Sequence, residues 1–247
     1  MVNAELVQIV PSRVLAIHQP NFFPWLGYFD KIARSNVFVF LDHVQFPKTG
    51  GVWSNRVKLL VGGKPRWVTA PIVRNFHGVR AISEMEVRSN DPWRDKLLKS
   101  LAINYGRALF FHETMELLEP LILNPEINLA RYNGAAVMAI AKYFGFQSEK
   151  FRWSSEIGVD ERATEMLISL ARAAGCDAYM CGGGAEGYQE DTAFAAAGVG
   201  LIYQNFHHPV YPQVGTKEFV AGLSVIDALM NIGVNEVRAT LHIDLLP

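Results

Sequence analysis

The stretch Val14–Lys48, VLAIHQPNFFPWLGYFDKIARSNVFVFLDHVQFPK, decides the fold. It opens on an apolar run, Val14 to Ile17, and turns at His18-Gln19-Pro20-Asn21. Pro24 and Trp25 then begin a helix that reads through to Arg34, and Val37 to Leu41 is a second apolar run ending on Asp42. Strand, polar loop, helix and strand make a βαβ unit, the building block of a parallel sheet. Parallel sheets bind ligands beyond the carboxyl ends of their strands. His18, Gln19 and Asn21 would emerge there after the first strand, and Asp42, His43 and Gln45 after the second. The sequence therefore predicts an α/β fold, a mainly parallel sheet flanked by helices, with the two polar loops opening onto one cavity.

Working outward, residues 1–12 read as a leader and 13–247 as a single domain. Thr49 to Lys64 is framed by Gly50-Gly51 and Gly62-Gly63 as a loop or hairpin, and Arg66 to Pro71 alternates as a strand. Ala81 to Val87 reads as a further strand. Asn90-Asp91-Pro92 signals a helix start. Helical patterns follow over about 113–123 and from Pro125 to Gly145, so residues 90–145 read as a helical middle subdomain or as one flank of the sheet. Phe151–Glu156 is a short extended segment, Asp160–Ala174 an amphipathic helix, and Ala178–Cys181 a strand running into Gly182-Gly183-Gly184. Ala193–Ala197 reads as helix, Val199–Tyr203 as strand, and Glu218–Asn231 as a last helix closed by Gly233.

Composition narrows the function classes. Half of the 247 residues are hydrophobic and the formal net charge is −1, so net charge argues against a nucleic-acid partner. No apolar run reaches the ~18–20 residues of a membrane span, and the N-terminus lacks a secretory pattern. Cys176 and Cys181 do not make a disulfide scaffold, which fits a cytoplasmic protein with reduced thiols. His207-His208 and the two cysteines lack metal-ligand spacing, so no metal is expected.

The candidate chemistry sits in four places. His18 titrates near neutrality and can act as general acid or base, beside backbone N–H groups at a helix start. Asp42 can orient an amine or that base. Lys48, Trp53, Asn55 and Arg56 suit recognition of phosphate or carboxylate, with Trp53 stacking on a base or sugar ring and Asn21 or Asn55 holding an oxygen. Cys181 before Gly182 and Gly183 offers a thiol and a glycine loop, with Tyr188 just beyond. Asn205, His207, Tyr211 and Gln213 share a polar-aromatic loop suited to ligand contacts. The expected partner is a small molecule, a nucleotide-linked sugar or a nucleotide- or thioester-linked donor. An acyl or aminoacyl transferase, a non-catalytic nucleotide-sugar binding module and a scaffold in a biosynthetic complex all remain open.

These residues also carry a resemblance. His18-Gln19-Pro20-Asn21 with Pro24-Trp25-Leu26-Gly27-Tyr28-Phe29, then Gln45-Phe46, Trp53-Ser54-Asn55-Arg56, Ser154-Ser155-Glu156 and Tyr211-Pro212-Gln213 resemble the WbqC-like family of bacterial proteins. That resemblance implies a setting in surface-polysaccharide (O-antigen) gene clusters, and with it aminoacylation or acylation of an amino sugar. His43 stands where the family commonly has a second acid, and Cys181-Gly182-Gly183-Gly184 replaces a usual Ser-Gly. At the level of fold, Trp25-Leu26-Gly27-Tyr28 occupies the place of the nucleotidylyltransferase HxGH motif, keeping the glycine and neither histidine. This implies a nucleotidylyltransferase/Rossmann-like scaffold and places Trp25 and Tyr28 in the substrate site.

Overall fold

The structure is a computed structural model that describes residues 12–47, 52–182 and 190–243. Five parallel strands form its centre: β1 (Val14–His18), β2 (Val37–Phe40), β5 (Phe151–Trp153), β6 (Ala178–Cys181) and β7 (Gly200–Tyr203). Between β2 and β5 come a hairpin, β3 (Arg56–Val61) and β4 (Lys64–Thr69), and three helices, α2 (Trp93–Tyr105), α3 (Phe111–Ile122) and α4 (Leu129–Tyr143). The remaining helices are α1 (Leu26–Arg34), the single turn α5 (Ser154–Ile157), α6 (Ala163–Ala173), α7 (Asp191–Ala196) and α8 (Val225–Thr240).

The sheet order is β5-β2-β1-β6-β7. The chain thus builds outward in one direction from β1 through β2 to β5, then returns to the other side of β1 with β6 and β7. That is the strand order of doubly wound nucleotide-binding folds, and the reversal falls between β1 and β6. All four residues of β2 are buried, as expected of a strand covered on both faces. Along β1 the pleat sends Leu15 and Ile17 into a core with Ile168 and Leu170 of α6 and Phe194 of α7. Ala16 faces the larger core, which also holds Phe29, Phe38, Phe40 and residues of α2, α3, α4 and α8. The helices of the 90–145 region therefore pack into the same core as the sheet.

Three local readings differ from the sequence expectation. Ala81–Val87 contains a 3₁₀ turn, Ile82–Glu84, held by the Glu84 carboxylate accepting from the Ala81 N–H at 2.7 Å. Its alternating pattern comes from isolated bridges at each end, Ala81 to Gln45 and Val87 to Ile72. The extended segment at 151–156 stops at Trp153, because Ser154 enters α5. The last helix starts later and runs further than Glu218–Asn231. Ser224 caps it through its side chain, and it continues past a break at Gly233, whose φ is 72°. A Cβ at Gly233 would lie 2.7 Å from the Phe110 ring, so the glycine lets that ring pack against the kink.

Candidate active site at the strand-order reversal

A cavity of about 410 Å³ opens where β1 and β6 diverge. It is walled by His18 from β1, Trp25, Gly27, Tyr28 and Lys31 around the start of α1, Gly182 after β6, and Gln204, Asn205 and Phe206 after β7. Hollows at this reversal are where open α/β sheets bind their ligands.

His18 shows its ring to the α1 side, where it packs on Tyr28 with centroids 4.6 Å apart. Its Nδ1 lies 3.2 Å from the Gln19 carbonyl oxygen. A carbonyl only accepts, so the geometry assigns the proton to Nδ1 and leaves Nε2 as the lone-pair nitrogen. The Tyr28 hydroxyl donates to the same carbonyl at 3.0 Å. Burial, and then the nearby Lys31 ammonium, push the His18 pKa down to about 3, against a smaller opposing effect of the Gln19 bond. At neutral pH the ring is an uncharged proton acceptor.

Lys31 is the residue that sequence reading missed. It is buried on the core face of α1, three residues after Tyr28 and one turn after Gly27. Its Nζ donates to the Ile17 carbonyl at 3.1 Å, the one hydrogen bond it makes among the described residues. Burial lowers its pKa to about 8. An ammonium has three donors, so this one retains capacity for an anion or a carbonyl oxygen inside the cavity. No described lining residue is acidic. The signal was present in LGYFDKIAR: a lysine interrupting the apolar stripe between Phe29 and Ile32.

The walls are held by a second layer. Gln204 donates to the Gly27 carbonyl and, at 2.8 Å, to Asp30, while Arg34 donates to the Gln204 carbonyl at 2.7 Å. This clamps the loop after β7 onto α1. Asn205 adopts a left-handed φ of 48°, a strained backbone for a non-glycine residue at the cavity edge. Trp25 stands against Phe206 and His208, with centroids 5.3 and 5.1 Å away. A Cβ on Gly27 would fall 2.3 Å from the Trp25 ring, so the glycine is what allows the indole to lie over the first turn of α1.

The structure gathers His18, Trp25, Tyr28, Gly182 and Asn205 of the expected set into this cavity. Others it uses elsewhere. Asp42 emerges at the same end of the sheet but does not open onto the cavity; it is buried and accepts from Ser154 Oγ at 3.0 Å, Ser155 N at 2.9 Å and Ser155 Oγ at 2.7 Å. That carboxylate anchors the start of α5, and His43 joins it through Ser154 Oγ. Cys181 packs with Ile17 and Val39 in the second core, its Sγ donating to the Ile202 carbonyl at 3.5 Å, and does not line the His18 cavity, though it lies near enough to Lys31 to act against the lowering of that pKa. Tyr211 and Gln213 donate to the buried Asp227 at 2.9 and 2.8 Å, alongside Tyr105 at 2.9 Å. This hub ties the loop before α8 to α2. Burial raises the Asp227 pKa, opposed by these three bonds.

The two motif segments HQPN and WSNR do meet. Asn133 of α4 donates to the carbonyls of Pro20 and Ser54, at 2.9 and 2.6 Å, and Phe22 N–H donates to Trp53 O at 2.9 Å. Asn21 and Asn55 are buried in that junction, and Asn55 donates to Ala70 O at 3.2 Å. Gln19 is half-buried beside His18, while Gln45 and His207 are exposed. Trp53 and Arg56 lie on the hairpin side of the molecule. Lys48, Gly183 and Tyr188 lie outside the described residues.

The sheet order and the cavity at its reversal define an α/β protein with a doubly wound parallel sheet and a candidate site headed by His18. The chain belongs to the WbqC-like protein family, which matches residues 19–239. It is similar to the uncharacterized protein Rv1507c of Mycobacterium tuberculosis (strain ATCC 25618 / H37Rv), 28% identical over 224 residues, covering 90% of this chain and 94% of that one. No solved structure matches significantly. Among the described residues, no helix is long and apolar enough to cross a membrane.

Proposed function

We propose that the chain is an enzyme of bacterial surface-polysaccharide or amino-sugar biosynthesis that transfers an acyl or aminoacyl group to the amine of a sugar, itself nucleotide-linked. The observation that carries this reading is the pairing, in one cavity, of an uncharged His18 that has a lone pair at Nε2 with a buried Lys31 ammonium. The substrate amine attacks the acyl carbonyl carbon of an activated donor, and its proton passes to His18 Nε2. The oxygen that gains charge is stabilised by Lys31. The leaving group departs with its electron pair and takes the proton back from His18. Trp25, Tyr28 and Phe206 supply aromatic faces for a sugar or base. An anion seated on Lys31 offsets the charge that depresses His18, so ligand binding raises the basicity of the imidazole toward the useful range.

A second reading, a non-catalytic sugar-nucleotide binding module, is favoured by the removal of Asp42 and Cys181 from the cavity. One experiment separates the two. Purified protein is incubated with amino-sugar nucleotides and a panel of acyl and aminoacyl thioesters, and products are read by mass spectrometry. The transferase reading requires a product that His18→Gln reduces by two or more orders of magnitude without lowering the melting temperature. Ligand-induced thermal stabilisation with no product under any donor supports the binding module instead.

A further inference from the structure

The near-neutral net charge of the chain hides a strong segregation. Between His43 and Ser83 there are seven Lys or Arg residues and no Asp or Glu, although the whole chain carries a formal −1. The β3–β4 hairpin lies at the centre of this segment. Its second strand is exposed at every residue except Val68, which is half-buried. Cross-strand register places Lys58 opposite Trp67 and Arg56 opposite Thr69, so these four share one face. On it the Arg56 guanidinium sits 4.2 Å over the Trp67 ring and the Lys58 ammonium 5.1 Å. Trp53 meets Trp67 edge-to-face at 5.0 Å, and both indoles are about 40% exposed (39% and 41%). Lys64 and Arg66, both exposed, pair with Val61 and Leu59 and so belong to the other face of the ribbon.

Lysine and proline on an open strand edge have a simpler use, which is to block edge-to-edge pairing. That use requires charge, not two half-exposed tryptophans. The hairpin lines neither the His18 cavity nor three other hollows of similar size, whereas small-molecule sites are concave. A convex face that sets two cations against two partly exposed indoles suits a flexible polyanion that carries flat rings.

We propose that one face of the β3–β4 hairpin binds single-stranded nucleic acid, with phosphates on Arg56 and Lys58 and bases stacking at Trp53 and Trp67. Charge complementarity selects a polyanion, and the paired indoles select one with stackable bases. This proposal is independent of the chemistry assigned to the His18 cavity.

The test uses the full chain and fluorescein-labelled 15-nucleotide RNA and DNA of one mixed sequence, read by anisotropy and by quenching of tryptophan emission. Binding is expected at 50 mM salt. Two phosphate contacts predict a loss of about sevenfold in affinity on going to 200 mM, from a slope of roughly −0.7 per contact for single strands. Arg56→Gln with Lys58→Gln should weaken binding at least fivefold, and Trp67→Ala at least fivefold with loss of quenching, whereas Lys64→Gln with Arg66→Gln on the opposite face should change it less than twofold. His18→Gln should leave binding unchanged. A tighter complex with RNA than with DNA identifies the ribose-bearing strand as the ligand, and equal affinities identify the shared phosphate-and-base chemistry. Absence of binding at 50 mM salt up to 100-fold above the protein concentration overturns the proposal. So does displacement by inorganic polyphosphate or an acidic polysaccharide at equal charge with Trp67→Ala unaffected, which would make the face a simple polyanion or glycan surface.

Discussion

Replacing Lys31 by methionine separates function from stability in one variant. The side chain is buried, and its pKa falls from 10.5 to about 8 because the charge is held away from water. Keeping it protonated inside the fold at pH 7 costs about 3 kcal/mol relative to the unfolded chain. Methionine fills a similar volume without that charge, but leaves the Ile17 carbonyl without its donor, a loss of about 1–2 kcal/mol. Lys31→Met should therefore be more stable at pH 7 by about 1–2 kcal/mol, a rise of roughly 2–8 °C in melting temperature for a chain of this size. The sign with pH is fixed by the direction of the shift. Between about pH 8 and 10.5 the unfolded chain holds a proton on Lys31 that the folded chain has released, so the stability of the parent protein rises across that window. The advantage of the methionine variant should accordingly vanish inside that window and reverse, leaving it about 1–2 kcal/mol less stable than the parent by pH 10.5, the value of the lost hydrogen bond. Binding of anionic ligands, and any turnover, should fall by at least tenfold at the same time. Thermal denaturation by circular dichroism from pH 6 to 10.5 checks both. A variant that melts several degrees lower at pH 7, or whose difference from the parent ignores pH, would show Lys31 to be a structural prop.

Four further outcomes follow from the geometry. Asp42→Ala should lose about 3 kcal/mol, from three hydrogen bonds to a buried carboxylate, and melt roughly 6–12 °C lower; unchanged melting with abolished turnover would return Asp42 to the chemistry. Gly27→Ala should push the Trp25 ring off the first turn of α1, weakening ligand binding about tenfold and altering tryptophan emission, and an unaltered spectrum would contradict the packing. Tyr211→Phe should cost about 1 kcal/mol by removing one donor to Asp227, with kcat unaffected; a selective loss of kcat would place Tyr211 in the site. His18 has a folded pKa near 3 against 6.5 unfolded, so acid binds the unfolded chain preferentially and stability falls as pH drops from 6.5 toward 3. His18→Gln should flatten part of that acid limb in urea titrations between pH 4 and 7.

The sheet was readable because β1, β2 and β6 are short apolar runs with turn residues at their ends, and because the loop after β1 leads straight into a helix. Parallel pairing then put both polar loops at one rim without further information. What local sequence could not show was the partner of each polar side chain. Asp42 looks available until Ser154 and Ser155, 112 and 113 positions away, arrive beside it. Tyr211 and Gln213 look like ligand contacts until Asp227 claims them. Lys31 reads as a surface residue by type, and only its burial against Ile17 marks it. Gly233 reads as a helix end, and it took the ring of Phe110 to make it a kink inside α8. The alternation of Ala81–Val87 was real but served isolated bridges around a 3₁₀ turn. Cys181 ends its strand as the apolar run Ala178–Cys181 implies, and the pleat seats it in the core of Ile17 and Val39, outside the lining of the His18 cavity.

The central claim is that His18 is an uncharged base at neutral pH, protonated on Nδ1 and available at Nε2. Nitrogen-15 NMR of histidine-labelled protein, with the His18 signals assigned by their loss in His18→Gln, tests it directly. The expected result is the Nδ1–H tautomer with no protonation of the ring down to about pH 4 in the free protein. A His18 ring that titrates near 6.5, or that carries its proton on Nε2, would contradict it.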